Sequence, residues 1–357
     1  MNLSVGIVGL PNAGKSTLFN ALLKKQAALA ANYPFATIEP NVGIVPVPDE
    51  RLEKLADIVE KEEGKYPPLV PATIEFVDIA GLVKGASKGE GLGNQFLSHI
   101  REVDVICHVV RYFNDPDVVH IMGDVNPKRD IEIIETELAL ADLQTLEKQK
   151  MPKGGQSKEE IARWNLIEKI KKNLNNNVPA RRTIISTEEQ GSVRDLQLLT
   201  MKPVLYVFNV SEDQLSITTP PSDFSPSMVV AAKTESELAG LSPTEQREYL
   251  DSLGIKQSGL DQVISKAYAL LGLISFLTMG EKEVRAWTII RGMLAPQAAG
   301  VIHTDFEKLF IKADVISYND LIEVGLRTKA KETGRLRLEG REYIVKDGDI
   351  IEFKIGK

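Results

Sequence analysis

Gly9-Leu10-Pro11-Asn12-Ala13-Gly14-Lys15-Ser16 is the stretch whose reading decides the fold. It has the form G-x-x-x-x-G-K-S. Before it, Leu3-Ser4-Val5-Gly6-Ile7-Val8 is an apolar run suited to a buried parallel strand. After it, Thr17-Leu18-Phe19-Asn20-Ala21-Leu22-Leu23 opens a helix. Strand, glycine turn and helix is the arrangement in which backbone N–H groups and a helix N-terminus cradle an anion. A chance G-x-x-x-x-G-K-S would lack these flanks. Asn12, Ala13, Gly14, Lys15, Ser16 and Thr17 are therefore expected to surround a nucleotide's phosphates. Lys15 would pair with the β- and γ-phosphates and Ser16 would ligate Mg²⁺.

Working outward, Ala36-Thr37-Ile38-Glu39-Pro40-Asn41 precedes a strand-like run, Val42 to Val47. Nucleotide switches carry a second Mg²⁺ ligand at such a place, and Thr37 is the candidate. Ile74-Glu75-Phe76-Val77-Asp78-Ile79-Ala80-Gly81 is an apolar strand ending in D-x-x-G. Asp and Gly at a strand end are common in turns. Paired with the upstream loop, Asp78 suits the Mg²⁺-holding role and Gly81 an N–H directed at the γ-phosphate. Ras-like enzymes place a water-orienting Gln next. Here that residue is Leu82, so hydrolysis must use another group. The glycine-rich run that follows, to Asn94, suits a loop that changes shape with the nucleotide.

Gln95 to Arg101 reads as a helix and Val103 to Val110 as a buried strand. His108 within that strand reads as a core histidine, and Cys107 as a small buried hydrophobe. His120 lies in the loop beyond, on the edge where α/β sheets place ligands. From 128 to 201 the period becomes helical. Ile131, Ile134, Leu138, Ala141 and Leu146 follow helical spacing, and so do Ile161, Trp164, Ile167, Ile170 and Leu174. This predicts an antiparallel two-helix arm inserted into the α/β domain. Residues 148–182 hold ten Lys/Arg against three Glu, a local +7. A solvated helix face and a surface for RNA or an acidic partner explain that charge equally well.

Pro203 to Val210 returns to a buried strand and runs into Asn209-Val210-Ser211-Glu212. GTP enzymes carry N-K-x-D here, with Asp pairing to guanine N1–H and N2–H₂. Val210 replaces the Lys and Glu212 the Asp. The longer Glu weakens guanine specificity and admits adenine. Val229-Val230-Ala231-Ala232-Lys233 resembles the last base-contacting strand end, with Ala232 and Lys233 at the purine. From about residue 274, strand-like runs (Ala286 to Ile290, Tyr343 to Val345, Ile350 to Phe353) alternate with turns, predicting a small α+β domain. Its cluster Arg327, Lys329, Lys331, Arg335, Arg337 and Arg341 is read as either solvated or RNA-facing.

The net charge of −7 argues against a dedicated nucleic-acid binder but not against local patches. A single Cys excludes an internal disulfide framework. The N-terminus lacks the pattern of a signal peptide, and the apolar run from Tyr268 to Met279 is too short to span a bilayer. A cytoplasmic protein without membrane partners is expected.

G-L-P-N-A-G-K-S-T-L-F-N-A-L, F-A-T-I-E-P-N, F-V-D-I-A-G-L-V-K-G-A-S-K-G-E-G-L-G-N-Q-F-L, N-V-S-E and K-E-V-R-A-W-T-I are long and specific strings, and the resemblance they carry runs from residue 2 to the end. The chain resembles the YchF subfamily of Obg-related P-loop NTPases, also called Obg-like ATPases. The resemblance implies a Ras-like G domain (1–127 and 202–273), a helical arm (128–201) and a C-terminal TGS domain (274–357). It implies hydrolysis of ATP, preferred over or comparable to GTP, and association with ribosomes or their subunits. By it Asn209, Val210 and Glu212 are the altered base motif, and Leu82 is the hydrophobic replacement of the catalytic Gln. His120 is the substitute catalytic residue by the same resemblance, and Asn12 a K⁺ ligand. Two rival readings stand beside it: a guanine-specific translational GTPase, and a nucleotide-gated binding module with incidental turnover.

Overall fold

Apolar runs long enough to be buried on both faces become the central strands. The computed structural model describes residues 3–30, 41–79, 92–115, 123–152, 157–183, 186–252 and 254–356. Through the first two thirds of the chain run β1 (Ser4–Val8), β2 (Val42–Pro46), β3 (Leu69–Val70), β4 (Thr73–Asp78), β5 (Val105–Arg111), β6 (Val204–Asn209) and β7 (Ser227–Val230). All but β3 form one sheet in the order β2-β4-β1-β5-β6-β7. β1 pairs in parallel with β4 and β5, β5 with β6, and β6 with β7. Every residue of β1, β5 and β6 is buried, as parallel strands covered on both faces require. A parallel sheet brings its carboxyl strand ends to one edge, where α/β folds bind ligands. Here the loop after β1, Asp78 at the end of β4, Asn209 at the end of β6 and the turn after β7 share that edge.

The helices of this part are α1 (Lys15–Ala30), α2 (Arg51–Glu63), α3 (Leu92–Glu102), α4 (Pro127–Glu147), α5 (Lys158–Asn175), α6 (Thr187–Val193), α7 (Ala232–Leu238), α8 (Pro243–Ser252) and α9 (Gly259–Leu270). Asn126 caps α4, with Pro127 in its first turn, and Ser157 with Glu160 forms a capping box on α5. α4 is apolar on two sides. Ile131, Ile134, Leu138 and Ala141 enter the sheet's core with Val110, Tyr206 and Phe208. Ala139 and Leu146 pack instead with Leu166, Ile167, Ile170 and Leu174 of α5. The expected helix pair is present, with one correction. Ile161 is 50% exposed, because the buried face of α5 begins at Leu166.

Asp142 ties α4 to the chain that leads into β6. Its carboxylate accepts from the backbone N–H groups of Leu199 and Thr200, both at 2.8 Å, and from the Thr200 hydroxyl at 2.6 Å. The residue is 1% exposed, and burial pushes its carboxyl upward against those bonds. Asp142→Ala should strand two buried backbone N–H donors and the Thr200 hydroxyl, and cost about 2–4 kcal/mol in urea unfolding. An unfolding midpoint equal to wild type would contradict that.

His108 is buried as expected, 5.8 Å from the ring of Tyr206. Burial, with Arg181 and Lys15 as secondary causes, pushes its imidazole from 6.5 down to about 3. The unfolded chain therefore takes up a proton first as pH falls. The stability held by neutral His108 is complete above about pH 6.5 and declines progressively from there toward pH 3. His108→Leu should flatten the acid limb of the stability profile in this window. An unchanged slope would refute it. Cys107 is also buried, its thiol pushed up to about 12.

The chain falls into two compact units, Met1–Ile44 with Glu75–Val263, and Val45–Ile74 with Ile264–Lys357. The division differs from the expected one, since 45–74 were placed in the nucleotide-binding domain. The reason is visible in β3, which pairs in parallel with a C-terminal strand. That second unit adds β8 (Leu273–Met279), β9 (Val284–Ile290), β10 (Phe310–Ser317), β11 (Arg337–Glu339) and β12 (Asp349–Ile355). It also adds α10 (Ala295–Ile302), α11 (Thr304–Leu309), α12 (Tyr318–Val324) and α13 (Arg327–Glu332). Its sheet runs β11-β10-β12-β8-β9-β3. Ala295, Ala298 and Ala299 of α10 let that helix close on Ile274, Phe276, Phe310 and Val315. Tyr343 to Val345, expected as a strand, makes a single bridge between Ile344 and Leu294, although Val345 is buried. Among the described residues, no helix is long and apolar enough to cross a membrane.

Candidate functional site

The loop between β1 and α1 needs its glycines for space. A Cβ on Gly9 would lie 2.3 Å from the Val109 carbonyl oxygen. At Gly14 the backbone is left-handed (φ +98°), and a Cβ would lie 2.1 Å from Asn209 Nδ2. Asn12 is also left-handed (φ 63°), a conformation Asn tolerates better than most residues. Lys15 is 8% exposed and its Nζ donates to the Leu10 carbonyl at 2.9 Å, within the curve of the loop. Burial pushes the Lys15 ammonium down, and the nearby Asp78 charge partly offsets this. Reciprocally, burial pushes the Asp78 carboxyl up, and Lys15 partly offsets it.

Asp78 Oδ1 is buried and has no hydrogen-bond partner among the described residues. A buried carboxylate oxygen left in that condition calls for a proton donor or a cation. Ser16 stands exposed in the first turn of α1. A serine hydroxyl and a carboxylate are hard oxygen donors of the kind Mg²⁺ takes in small number, with phosphates and water completing its shell. Asp78 and Ser16 thus fit the expected Mg²⁺ role. Among the described residues there is no cluster of three or more His, Cys, Asp or Glu that would cage a metal by itself.

Asn209 knits the base loop to the phosphate loop. Its Nδ2 donates to the Ala13 carbonyl at 2.9 Å, and its Oδ1 accepts from the Ala232 N–H at 3.0 Å. One buried side chain therefore holds together three segments distant in sequence. Val210 is buried and donates its N–H to the Val230 carbonyl at 2.9 Å. Lys233 is exposed in the first turn of α7. Glu212 accepts from Thr234 Oγ1 at 3.1 Å and from the Tyr249 hydroxyl at 3.0 Å. Thr234 and Tyr249 were not among the expected site residues. The position of Thr234 beside Lys233 was a usable signal, whereas nothing in the sequence around Tyr249 announces its contact.

The structure brings together Asn12, Ala13, Gly14, Lys15, Ser16 and Thr17 with Asp78, Asn209, Val210, Glu212, Ala232 and Lys233 along the carboxyl edge of the sheet. Thr37, Gly81, Leu82 and His120 lie outside the described residues.

The two basic stretches are partly neutralised by their own surroundings. In the arm, Arg163 pairs with Asp195, and Arg181 with Glu135 and the Tyr206 hydroxyl. In the C-terminal stretch, Arg327 pairs with Glu62 and Glu63, and Arg335 with Asp320 and Glu323. Arg341 donates to the Phe310 carbonyl at 2.8 Å. Lys148, Lys150, Lys158 and Lys172 in the arm, and Lys329 and Lys331 on α13, are exposed.

Residues 4–153 match a family model described as "50S ribosome-binding GTPase". Residues 273–356 match the model YchF-GTPase_C, described as "Protein of unknown function (DUF933)". The chain is 50% identical to the "Ribosome-binding ATPase YchF" of Bacillus subtilis (strain 168), over 99% of each. It is 50% identical, with the same coverage, to the protein of that name from Escherichia coli O157:H7. The solved "Structure of the Schizosaccharomyces pombe YchF GTPase" superposes with a TM-score of 0.86 at 39% identity, covering 99% of this chain and 98% of that one.

Proposed function

Because this chain belongs to the YchF family and is a P-loop NTPase, we propose that it hydrolyses ATP with Mg²⁺, taking ATP over or comparably to GTP, as a ribosome-associated nucleotide switch that regulates translation. The observation that carries the base reading is Glu212. It replaces the guanine-reading Asp, and its two carboxylate oxygens accept from Thr234 and Tyr249. The printed names of the bacterial relatives support the ribosome partner.

In this reading, Lys15 and the loop's N–H groups hold the β- and γ-phosphates. Ser16, Thr37 and Asp78 would hold Mg²⁺, which would supply charge neutralisation at the phosphates. Gly81 senses the γ-phosphate, and His120 orients water or stabilises charge where Leu82 cannot. Catalysis rests mainly on positioning and electrostatics. Asn12 would hold K⁺, and Ala232 and Lys233 would flank the base. The nucleotide-binding part comprises 1–127 and 202–273, less the segment 45–74 that packs with the C-terminal unit, the arm 128–201 and the TGS domain 274–357. The exposed lysines of 148–182 and of 327–341 are the RNA-facing candidates, and the protein works in the cytoplasm.

Phosphate release from ATP with Mg²⁺, combined with sedimentation of the protein with ribosomes in ATP- and ADP-bound forms, tests this. Turnover together with nucleotide-dependent co-sedimentation supports the reading. No ATP turnover, with or without ribosomes, overturns it. Turnover without co-sedimentation in either form removes the ribosome switch.

A further inference from the structure

We propose that Thr234 and Tyr249 are positioning residues for base selectivity: they engage both carboxylate oxygens of Glu212 and keep that side chain from pairing with guanine. The proposal rests on the nucleotide site described above and deepens it. Guanine offers N1–H and N2–H₂ side by side, a donor pair for an acceptor with two free oxygens. Adenine offers one amino donor beside an acceptor nitrogen, so it gains nothing from such a carboxylate pair. A glutamate has more rotatable bonds than aspartate and, if free, could swing toward guanine despite its extra length.

Here it is not free. Glu212 opens a short 3₁₀ turn, Glu212–Gln214, directly after Asn209-Val210-Ser211. Its Oε2 accepts from Thr234 Oγ1 at 3.1 Å, and its Oε1 from the Tyr249 hydroxyl at 3.0 Å. Both donors stand on regular structure. Thr234 is 4% exposed within α7, and its branched Cβ restricts the hydroxyl to few positions. Tyr249 lies on α8, whose start is held by reciprocal bonds between Ser242 and Glu245. The bond to Glu212 is also the first cause of the upward push on the Tyr249 phenol. Turning Glu212 toward guanine would break two hydroxyl–carboxylate bonds and leave the buried Thr234 hydroxyl without this acceptor. The clamp therefore penalises guanine while leaving adenine indifferent.

The test is calorimetric titration of the full-length chain with ATP, GTP and ITP in Mg²⁺, for wild type, Thr234→Val, Tyr249→Phe and the double variant. The readout is the ratio of Kd values, which cancels any general loss of binding-competent protein. The double variant should shift the GTP-to-ATP ratio toward GTP by about tenfold. GTP should also gain on ITP, which lacks the N2 amino group. Adding Glu212→Ala should erase both gains. An unchanged ratio, a shift toward ATP, or a GTP gain that survives Glu212→Ala would each overturn the proposal. A wild-type chain that binds none of the three nucleotides would overturn the site reading itself.

Discussion

Lys15→Ala is expected to lower ATP turnover by about a hundredfold to a thousandfold, the scale on which removing one preorganised charge from a phosphoryl or oxyanion site acts. The expectation follows from where the ammonium sits. Lys15 is 8% exposed, and its Nζ lies 2.9 Å from the Leu10 carbonyl, inside the curve that would receive the phosphates. A charge in that environment interacts more strongly than one in water. Its loss also removes the positive charge that moderates Asp78, so the Asp78 carboxyl should titrate still higher in the variant. Lys15→Arg should not rescue turnover, because a planar guanidinium cannot replace a compact ammonium in so tight a loop. Phosphate release and displacement of a fluorescent nucleotide measure both effects. Turnover within threefold of wild type in the Ala variant would contradict the site.

Asp78→Asn should cut Mg²⁺-dependent turnover by about a hundredfold while raising stability in Mg²⁺-free buffer at neutral pH. These opposite signs come from one observation. Asp78 Oδ1 is buried without a hydrogen-bond partner among the described residues, and burial pushes the carboxyl up despite the attraction of Lys15. A carboxyl raised in the fold favours folding below its unfolded value, and that advantage is lost as pH rises through its folded value. At neutral pH the ionised group is therefore a burden that an amide removes. Urea unfolding with and without Mg²⁺ separates the two effects. If the variant is less stable without Mg²⁺ and keeps the Mg²⁺ dependence of wild type, Asp78 is a structural group only.

Much of this was legible in the sequence because the decisive segments are local. G-x-x-x-x-G-K-S between an apolar run and a helical one leaves little freedom, and β1 and α1 formed as read. The apolar run of 204–209 likewise became a fully buried strand. Less legible was anything set by pairing across the chain. β3 has only two residues, and its partner β9 begins at Val284, so no local pattern assigned 45–74 to the C-terminal unit. The basic run near 327–341 was read as solvated or RNA-facing, and the pairing of Arg327 with Glu62 and Glu63 was not legible because those residues lie far upstream. Ile161 followed the helical period yet stays exposed, since period alone does not say where a partner helix ends. Asn209 was identified as a base residue, but its bonds to Ala13 and Ala232 make it the tie between loops.

The most direct test of the central claim is calorimetric titration of the wild-type chain with ATP and with GTP in Mg²⁺. The account predicts that ATP binds as tightly as GTP or more tightly, because Glu212 replaces the guanine-reading Asp and is engaged by Thr234 and Tyr249. GTP binding tenfold tighter or more, about 1.4 kcal/mol, would contradict it and return the site to a guanine-specific switch.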